Sequence, residues 1–335
     1  MPITTQKWHR WRNFETLLAL VLGVEVLIFS KTGTRFATSD NLFEILRLST
    51  EIGLLALVMT PVILTGGIDL SCGSLLGLCA ILFGKLCRDA GLPVPIAAII
   101  TVIIGAVGGG LNALLITRLK LPPLIVTLGS LSLFRGLAEA ITGGVDNFTN
   151  FPSAFLFLGQ GYLFGVIPAQ LPVFVFVAIG VWLLVHRTVF GRCFRAIGFS
   201  PEGSRFAGIP VSRRLTLAYV LSGAVSGLAA LIYVARVGQA KADAGTGYEL
   251  LAVTAVVLGG ASIFGGTGTV HGTLLGVFIL ATLKIGLTLS DQPSELAGIL
   301  TGALLLGVLI IEALARKISA RRPVSAVATI RPTAP

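Results

Sequence analysis

Four long stretches of this chain carry no Lys, Arg, Asp or Glu: Gly91 to Thr117, Asn147 to Val185, Leu215 to Ala235 and Leu250 to Leu283. A helix crossing the hydrocarbon core of a bilayer needs about 20 mainly apolar residues and tolerates charge poorly at its centre. Such stretches therefore define the solvent in which most of the chain folds. The composition agrees: of 335 residues 54% are hydrophobic and 12% charged, with a mean hydropathy of +0.93. That leaves too little polar surface for a water-soluble globule and excludes a disordered chain, a disulfide-stapled secreted domain and a soluble enzyme. Cys72, Cys79, Cys87 and Cys193 have neither CxxC spacing nor a nearby His, so they read as small apolar packing residues, and no metal site is expected.

Ten spans are expected, near 14–30, 45–65, 71–87, 95–117, 123–142, 171–186, 215–235, 249–264, 270–289 and 296–315. The fold class is thus an all-α, polytopic membrane bundle. With the N-terminus inside, the inner segments hold sixteen Lys and Arg and the outer ones seven, which places both termini in the cytoplasm. The net charge of +10 then belongs to cytoplasmic loops, and no nucleic-acid partner is expected. A basic start could also open a signal peptide, but no small-residue cleavage site follows and further spans do, which favours a retained first helix. The organisation is a cytoplasmic N-terminus over 1–13, a transmembrane domain over 14–315 with a cytoplasmic loop at about 187–214, and a disordered basic tail over 316–335. Between Gly143 and Gln170 a long outer loop rich in Phe, with Pro152 and Pro168, reads as an interfacial element. It either caps the bundle or docks an external partner.

Two Gly-rich segments break the apolar pattern. Thr65-Gly66-Gly67-Ile68-Asp69-Leu70-Ser71 interrupts one run, and Leu258-Gly259-Gly260 through Gly265-Gly266-Thr267-Gly268 interrupts another. Backbone unwound at membrane depth must be buried in protein or line a wet cavity. Asp69 accordingly caps the next helix, alone or with Ser71, or lies on a translocation path. After each break the sequence reads alike, Gly73-Ser74-Leu75-Leu76-Gly77 and Gly272-Thr273-Leu274-Leu275-Gly276, either an internal repeat or recurrent small-residue packing. Asn112, Arg135, Glu139, Lys284 and Glu312 lie in or near spans, where polar groups face the bundle interior or water. Arg135 and Glu139, four apart, are spaced to pair, and Lys284 to snorkel. No acid–base pair, nucleophile or metal cluster is evident, so no catalytic residue is expected. In the loop His186 to Arg214, Ser200 can cap a short helix with Pro201 and Glu202 in its first turn and Gly208 at its end, which suits a docking element.

Gly66-Gly67-Ile68-Asp69-Leu70-Ser71, Leu121-Pro122-Pro123-Leu124-Ile125-Val126-Thr127-Leu128-Gly129, Ala196-Ile197-Gly198 with Gly208-Ile209, and Val257-Leu258-Gly259-Gly260 with Phe264-Gly265-Gly266-Thr267-Gly268 together carry a resemblance. In this order they resemble the permease subunits of bacterial ATP-binding cassette (ABC) importers for monosaccharides, the group handling ribose, arabinose, xylose, rhamnose and autoinducer-2. The resemblance covers about residues 45–315, and the overall sequence is most similar to rhamnose-type permeases. It implies an inner-membrane dimer of permease subunits, homo- or heteromeric, served by a periplasmic sugar-binding protein and driven by a cytoplasmic ATPase subunit, with no cofactor. Gly66, Gly67, Asp69, Ser71, Asn112, Gly259 and Gly260 would belong to the pathway or gate. Arg195, Gly198, Glu202, Arg205, Gly208 and Ile209 would couple to the ATPase. Cys72 stands where the family usually has Val, and Phe199-Ser200-Pro201 replaces the usual start of the coupling segment. The expected function is monosaccharide import powered by a separate ATPase. The competing readings are an ion-coupled transporter using Asp69 or Glu139 and an integral-membrane enzyme.

Overall fold

The computed structural model describes the backbone of residues 4–320 other than 294, and the side chains of residues 14–310 other than 294. Helices follow one another as α1 (Thr4–Thr32), α2 (Ser39–Leu64), α3 (Cys72–Arg88), α4 (Val94–Arg118), α5 (Pro123–Thr142), α6 (Ser153–Gln160), α7 (Leu171–Trp182), α8 (Val189–Phe199), α9 (Pro201–Phe206), α10 (Val211–Val237), α11 (Tyr248–Leu258), α12 (Val270–Leu289) and α13 (Glu295–Ala320). Between α6 and α7 a two-stranded antiparallel hairpin pairs β1 (Tyr162–Leu163) with β2 (Ile167–Pro168).

All ten stretches expected as spans are occupied by helices. By length and apolarity alone, α4, α5, α10 and α12 could each cross a membrane among the described residues. Taken as one span, the bent pair in which α7 runs through a π-helical turn, Leu183–Arg187, and turns by 67° into α8 would be a fifth; the same bend also suits a re-entrant element. The stretch expected to be helical to residue 264 stops at Leu258, because the glycine break begins at Gly259. Helices α1 and α13 extend beyond 14–315, while residues 321–335 of the expected tail, and the side chains of Lys7, Arg10, Arg12 and Glu312, lie outside the described residues.

Helix α2 is the pillar of the bundle. From Ser49 to Leu64 every residue but Ile52 is buried, as expected of a helix surrounded by protein on nearly all sides. It packs against α10, α11, α12, α7 and α8. The Thr60 and Thr273 hydroxyls, 2.8 Å apart, link α2 to α12. The Phe-rich loop closes one end: Phe151 and Phe155 are buried against Phe83, with ring centroids 5.5 and 4.9 Å away. The backbones of Phe148 and Ala240 bond each other, fixing this cap to the loop after α10.

Where helices approach most closely, glycine makes the approach possible, as in packing that cannot rely on expelling water. A Cβ on Gly223 of α10 would stand 2.7 Å from the Gly109 nitrogen of α4, and one on Gly227 would stand 2.8 Å from the Thr101 carbonyl oxygen. Gly129, on α5, has open space where its Cβ would be. Gly223→Val is expected to destabilise the detergent-solubilised protein by about 3 kcal/mol or more through overpacking. Gly129→Ala should leave stability unchanged or raise it by about 1 kcal/mol through helix propensity. Thermal unfolding of the two variants beside the parent checks both.

Candidate functional site

The first break is built from its backbone outward. Gly66, in the left-handed region at φ +81°, ends α2. Its N–H donates to the Ile63 carbonyl at 2.9 Å and the Gly67 N–H donates to the Val62 carbonyl at 3.2 Å, a Schellman end that satisfies carbonyls the helix leaves open. Gly67 has no Cβ because the buried Tyr219 ring places its hydroxyl there. The chain then runs unwound to α3, and Thr127, from the Leu-Pro-Pro segment at the start of α5, donates to the Ile68 carbonyl at 3.1 Å.

Asp69 is fully buried, and protein donors meet both its oxygens. Oδ1 accepts from the Ser71 N–H at 3.1 Å and the Ser71 hydroxyl at 2.6 Å, and Oδ2 accepts from the Ser222 hydroxyl of α10 at 2.6 Å. Ser71 precedes α3 without making a side-chain cap bond, so Asp69, holding the Ser71 N–H, orders this helix start. The Ser71 hydroxyl accepts from Asn112 Nδ2 at 2.8 Å, and Asn112 Oδ1 accepts from Ser130 of α5. One network thus joins the break to α3, α4, α5 and α10. Asp69, Ser71 and Asn112 were expected from sequence, whereas Ser130, Ser222 and Tyr219 are ordinary span residues until the fold brings them together.

The second break ends α11 in the same way. Gly260, at φ +87°, donates to the Val257 carbonyl at 2.9 Å, and the Ala261 N–H donates to Val256 at 3.1 Å. Gly259 packs against the Gly272 backbone of α12, and Gly260 against the Phe14 ring of α1. The parallel run on α12 also puts Gly276 against the Ala255 carbonyl, while its counterpart on α3 puts Gly77 beside the carbonyls of Ala242 and Ala244. Both runs therefore admit a neighbouring backbone. Thr269 caps α12, accepting from the Gly272 N–H at 3.0 Å and donating to Glu15 at 2.6 Å. The Val270 N–H donates to His186 Nε2 at 3.2 Å.

The two breaks meet each other and the end of α8. The Gly266 N–H donates to the Leu64 carbonyl at 2.9 Å. A Cβ on Gly265 would lie 2.7 Å from the Gly66 nitrogen and 2.9 Å from the Gly198 Cα, and a Cβ on Gly198 would collide with Leu64 O and Gly266 N. Backbone from three separate segments is in contact with no side chain between. Arg195 also turns inward, donating to the Val185 carbonyl at 3.1 Å and facing the Gly268 carbonyl at 3.5 Å. Of the other residues expected to couple, Glu202, Arg205 and Gly208 are exposed and Ile209 is half-buried. Ser200 caps α9 by accepting from the Gly203 N–H at 3.0 Å, and Gly208 closes the turn at φ +79°. Phe206 is 93% exposed. Beside α9 an open depression of about 430 Å³ is lined by Arg205, Gly208, Ile209 and Arg213.

Two polar pairings differ from the sequence expectation. Arg135 makes no ion pair with Glu139 among the described residues; it donates to the Ala242 and Ala244 carbonyls, which the loop before α11 presents closer than the carboxylate one helical turn away. Glu51, deep in α2 and not singled out in the sequence, is 1% exposed and receives Arg236 through Nε at 2.7 Å and Nη2 at 2.9 Å, with the Tyr248 hydroxyl donating at 3.3 Å. The available signal was an acid inside an apolar span, which demands a partner.

Residues 41–309 match the family described as branched-chain amino acid transport system / permease component. The chain is 38% identical over 315 residues to the autoinducer 2 import system permease protein LsrD of Yersinia pseudotuberculosis and to that of Yersinia pestis, covering 90% of this chain and 92% of each relative. In fold it resembles a solved inward-facing conformation of an ABC transporter described as of metal-chelate type, with a TM-score of 0.53 and 17% identity over 90% of this chain and 99% of that one.

If Asp69 serves as the acceptor that orders the break, Asp69→Leu should cost about 3 kcal/mol or more by stranding three buried donors. Asp69→Asn, which keeps one carbonyl oxygen, should cost about 1 kcal/mol. Denaturation in detergent reads both, and equal stability of the Leu variant and the parent would refute the role.

Proposed function

The chain belongs to the permease-component family of branched-chain amino acid type transport systems, and from that membership we propose that its cargo is a monosaccharide-like polyol of the autoinducer-2 class. As a member it is a multi-pass inner-membrane transport subunit of an ABC importer and not an enzyme, and the family implies an ATP-binding subunit and a substrate-binding protein as partners. The polyol is favoured over an amino acid because the 38%-identical relatives bear the name of autoinducer 2 permeases. A rhamnose- or ribose-like sugar belongs to the same hydroxyl-rich class.

The observation that carries the mechanism is the contact among Gly66, Gly198 and Gly265-Gly266. Work done by the ATPase must reach the pathway mechanically, and a backbone-to-backbone contact transmits displacement without the slack of flexible side chains. In this account both termini and the α8–α9 segment face the cytoplasm, as the basic asymmetry favours, and two permease chains form the path. Phe206, Glu202, Arg205 and the depression beside them receive the ATPase. Movement of α9 passes along α8 to Gly198, and from there to both breaks. An ion-coupled mechanism is disfavoured because donors from the protein itself already hold both Asp69 oxygens.

Reconstitution with the ATPase and binding protein tests the proposal. ATP-dependent uptake of autoinducer-2, L-rhamnose or D-ribose, with none of L-leucine, is expected; leucine uptake alone would overturn the cargo. Phe206→Ala combined with Glu202→Arg should weaken ATPase association by about 2 kcal/mol or more, as loss of an aromatic anchor does, while membrane insertion stays normal. Unchanged co-purification and uptake would place the docking surface elsewhere.

A further inference from the structure

At the end of the bundle away from α8 and α9, a cavity of about 590 Å³ opens among α2, α11, α12 and α13. That is within the range of small-molecule sites. None of its lining residues belongs to the Asp69 network. Its lining mixes Asn41, Glu44, Arg236, Tyr248, Lys284 and Thr288 with aliphatic residues that include Ile52, Leu251, Val277 and Leu280, and α2, α11 and α12 each contribute both kinds.

Two of the three charged lining residues, Glu44 and Arg236, are already committed to ion pairs. Arg236 is held by the buried Glu51, which fixes the guanidinium plane at the cavity edge. Glu44 pairs with Arg47 at 3.4 Å. Lys284 has no ion-pair partner among the described residues. Holding Arg236 through a buried carboxylate and the Tyr248 hydroxyl is a costly arrangement inside an apolar bundle, and polar groups so placed mark sites of function. A lining that mixes donors and acceptors with hydrocarbon matches a molecule that carries both hydroxyls and C–H groups.

We propose that this cavity is a binding site for an uncharged polyol within each permease chain, visited before the cargo reaches the broken segments. The proposal rests on the transport function above and deepens it by locating a cargo site. Arg236 and Lys284 donate to ring or chain oxygens, Asn41 and Glu44 accept from hydroxyls, and Ile52, Leu251, Val277 and Leu280 cover the C–H groups. Glu51 is a positioning residue that acts through Arg236.

The test blocks the cavity in the assembled transporter. In a Cys87→Ser background, which leaves only the buried Cys72, Cys79 and Cys193, Thr288→Cys and Thr301→Cys place thiols on two walls, and Val145→Cys places one on an exposed loop as control. Each complex, in proteoliposomes with its ATPase and binding protein, is labelled to completion with a bulky maleimide. Loss of uptake is expected for the two cavity variants but not for the control, and the imported sugar should slow labelling of the cavity thiols while L-leucine does not. Full uptake after complete labelling of both cavity variants, or labelling rates indifferent to the imported sugar, would overturn the proposal. Should one variant fail to assemble, the other reads the same cavity from the opposite wall. Failure of the unlabelled parent complex to import any sugar would count against the cargo assignment instead, which keeps the two failures distinct.

Discussion

Every interruption of a helix inside an apolar bundle exposes backbone N–H and C=O groups that neither lipid nor hydrocarbon side chains can satisfy. The rest of this structure follows from how two such interruptions are provided for. Schellman ends at Gly66-Gly67 and Gly260-Ala261 return the last N–H groups to their own helices. Thr127 supplies a hydroxyl to the Ile68 carbonyl, Asp69 supplies a carboxylate to Ser71, and Gly266 supplies its N–H to Leu64. Thr127 comes from α5, Gly266 from the second break, and Ser222, which also donates to Asp69, from α10, so satisfying the breaks also fixes α3, α5, α10 and the second break relative to α2.

That requirement explains what the sequence could and could not disclose. The breaks themselves are legible because paired glycines and an acid have no place in a continuous span, and α9 is legible because Ser200, Pro201 and Gly208 are local signals. The partners are not. Ser222 lies 153 residues from Asp69, and Arg236 lies 185 residues from Glu51, so no local pattern links them. Arg135 illustrates the opposite error: spacing along one helix suggested Glu139, but tertiary structure placed two loop carbonyls within reach. Within the second break, Gly259 and Gly260 pack against Gly272 and Phe14, and it is Gly265 and Gly266 that touch Gly66 and Gly198, a contact that no local pattern discloses.

The convergence at Gly198 connects this packing to transport. A subunit without a nucleotide site of its own needs a stiff element reaching from its partner to its pathway. Helix α8, bent 67° from α7 and seated by its last turn on both breaks, has that form. The network around Asp69 joins the first break to α3, α4, α5 and α10, so in the proposed mechanism a displacement of that break would reach all four.

In the proposed mechanism α8, α9 and the two breaks move as one body during the transport cycle. Pulsed electron–electron distance measurement on the complete transporter tests it most directly, with spin labels at Ala207→Cys, exposed at the end of α9 and outside the depression beside it, and at Thr267→Cys, compared without nucleotide and with ATP trapped by vanadate. The account predicts that the distance from α9 to the second break within one chain stays constant, while the distance between the α9 labels of the two permease chains changes. A changed distance within one chain, with α9 moving away from the break, would contradict it.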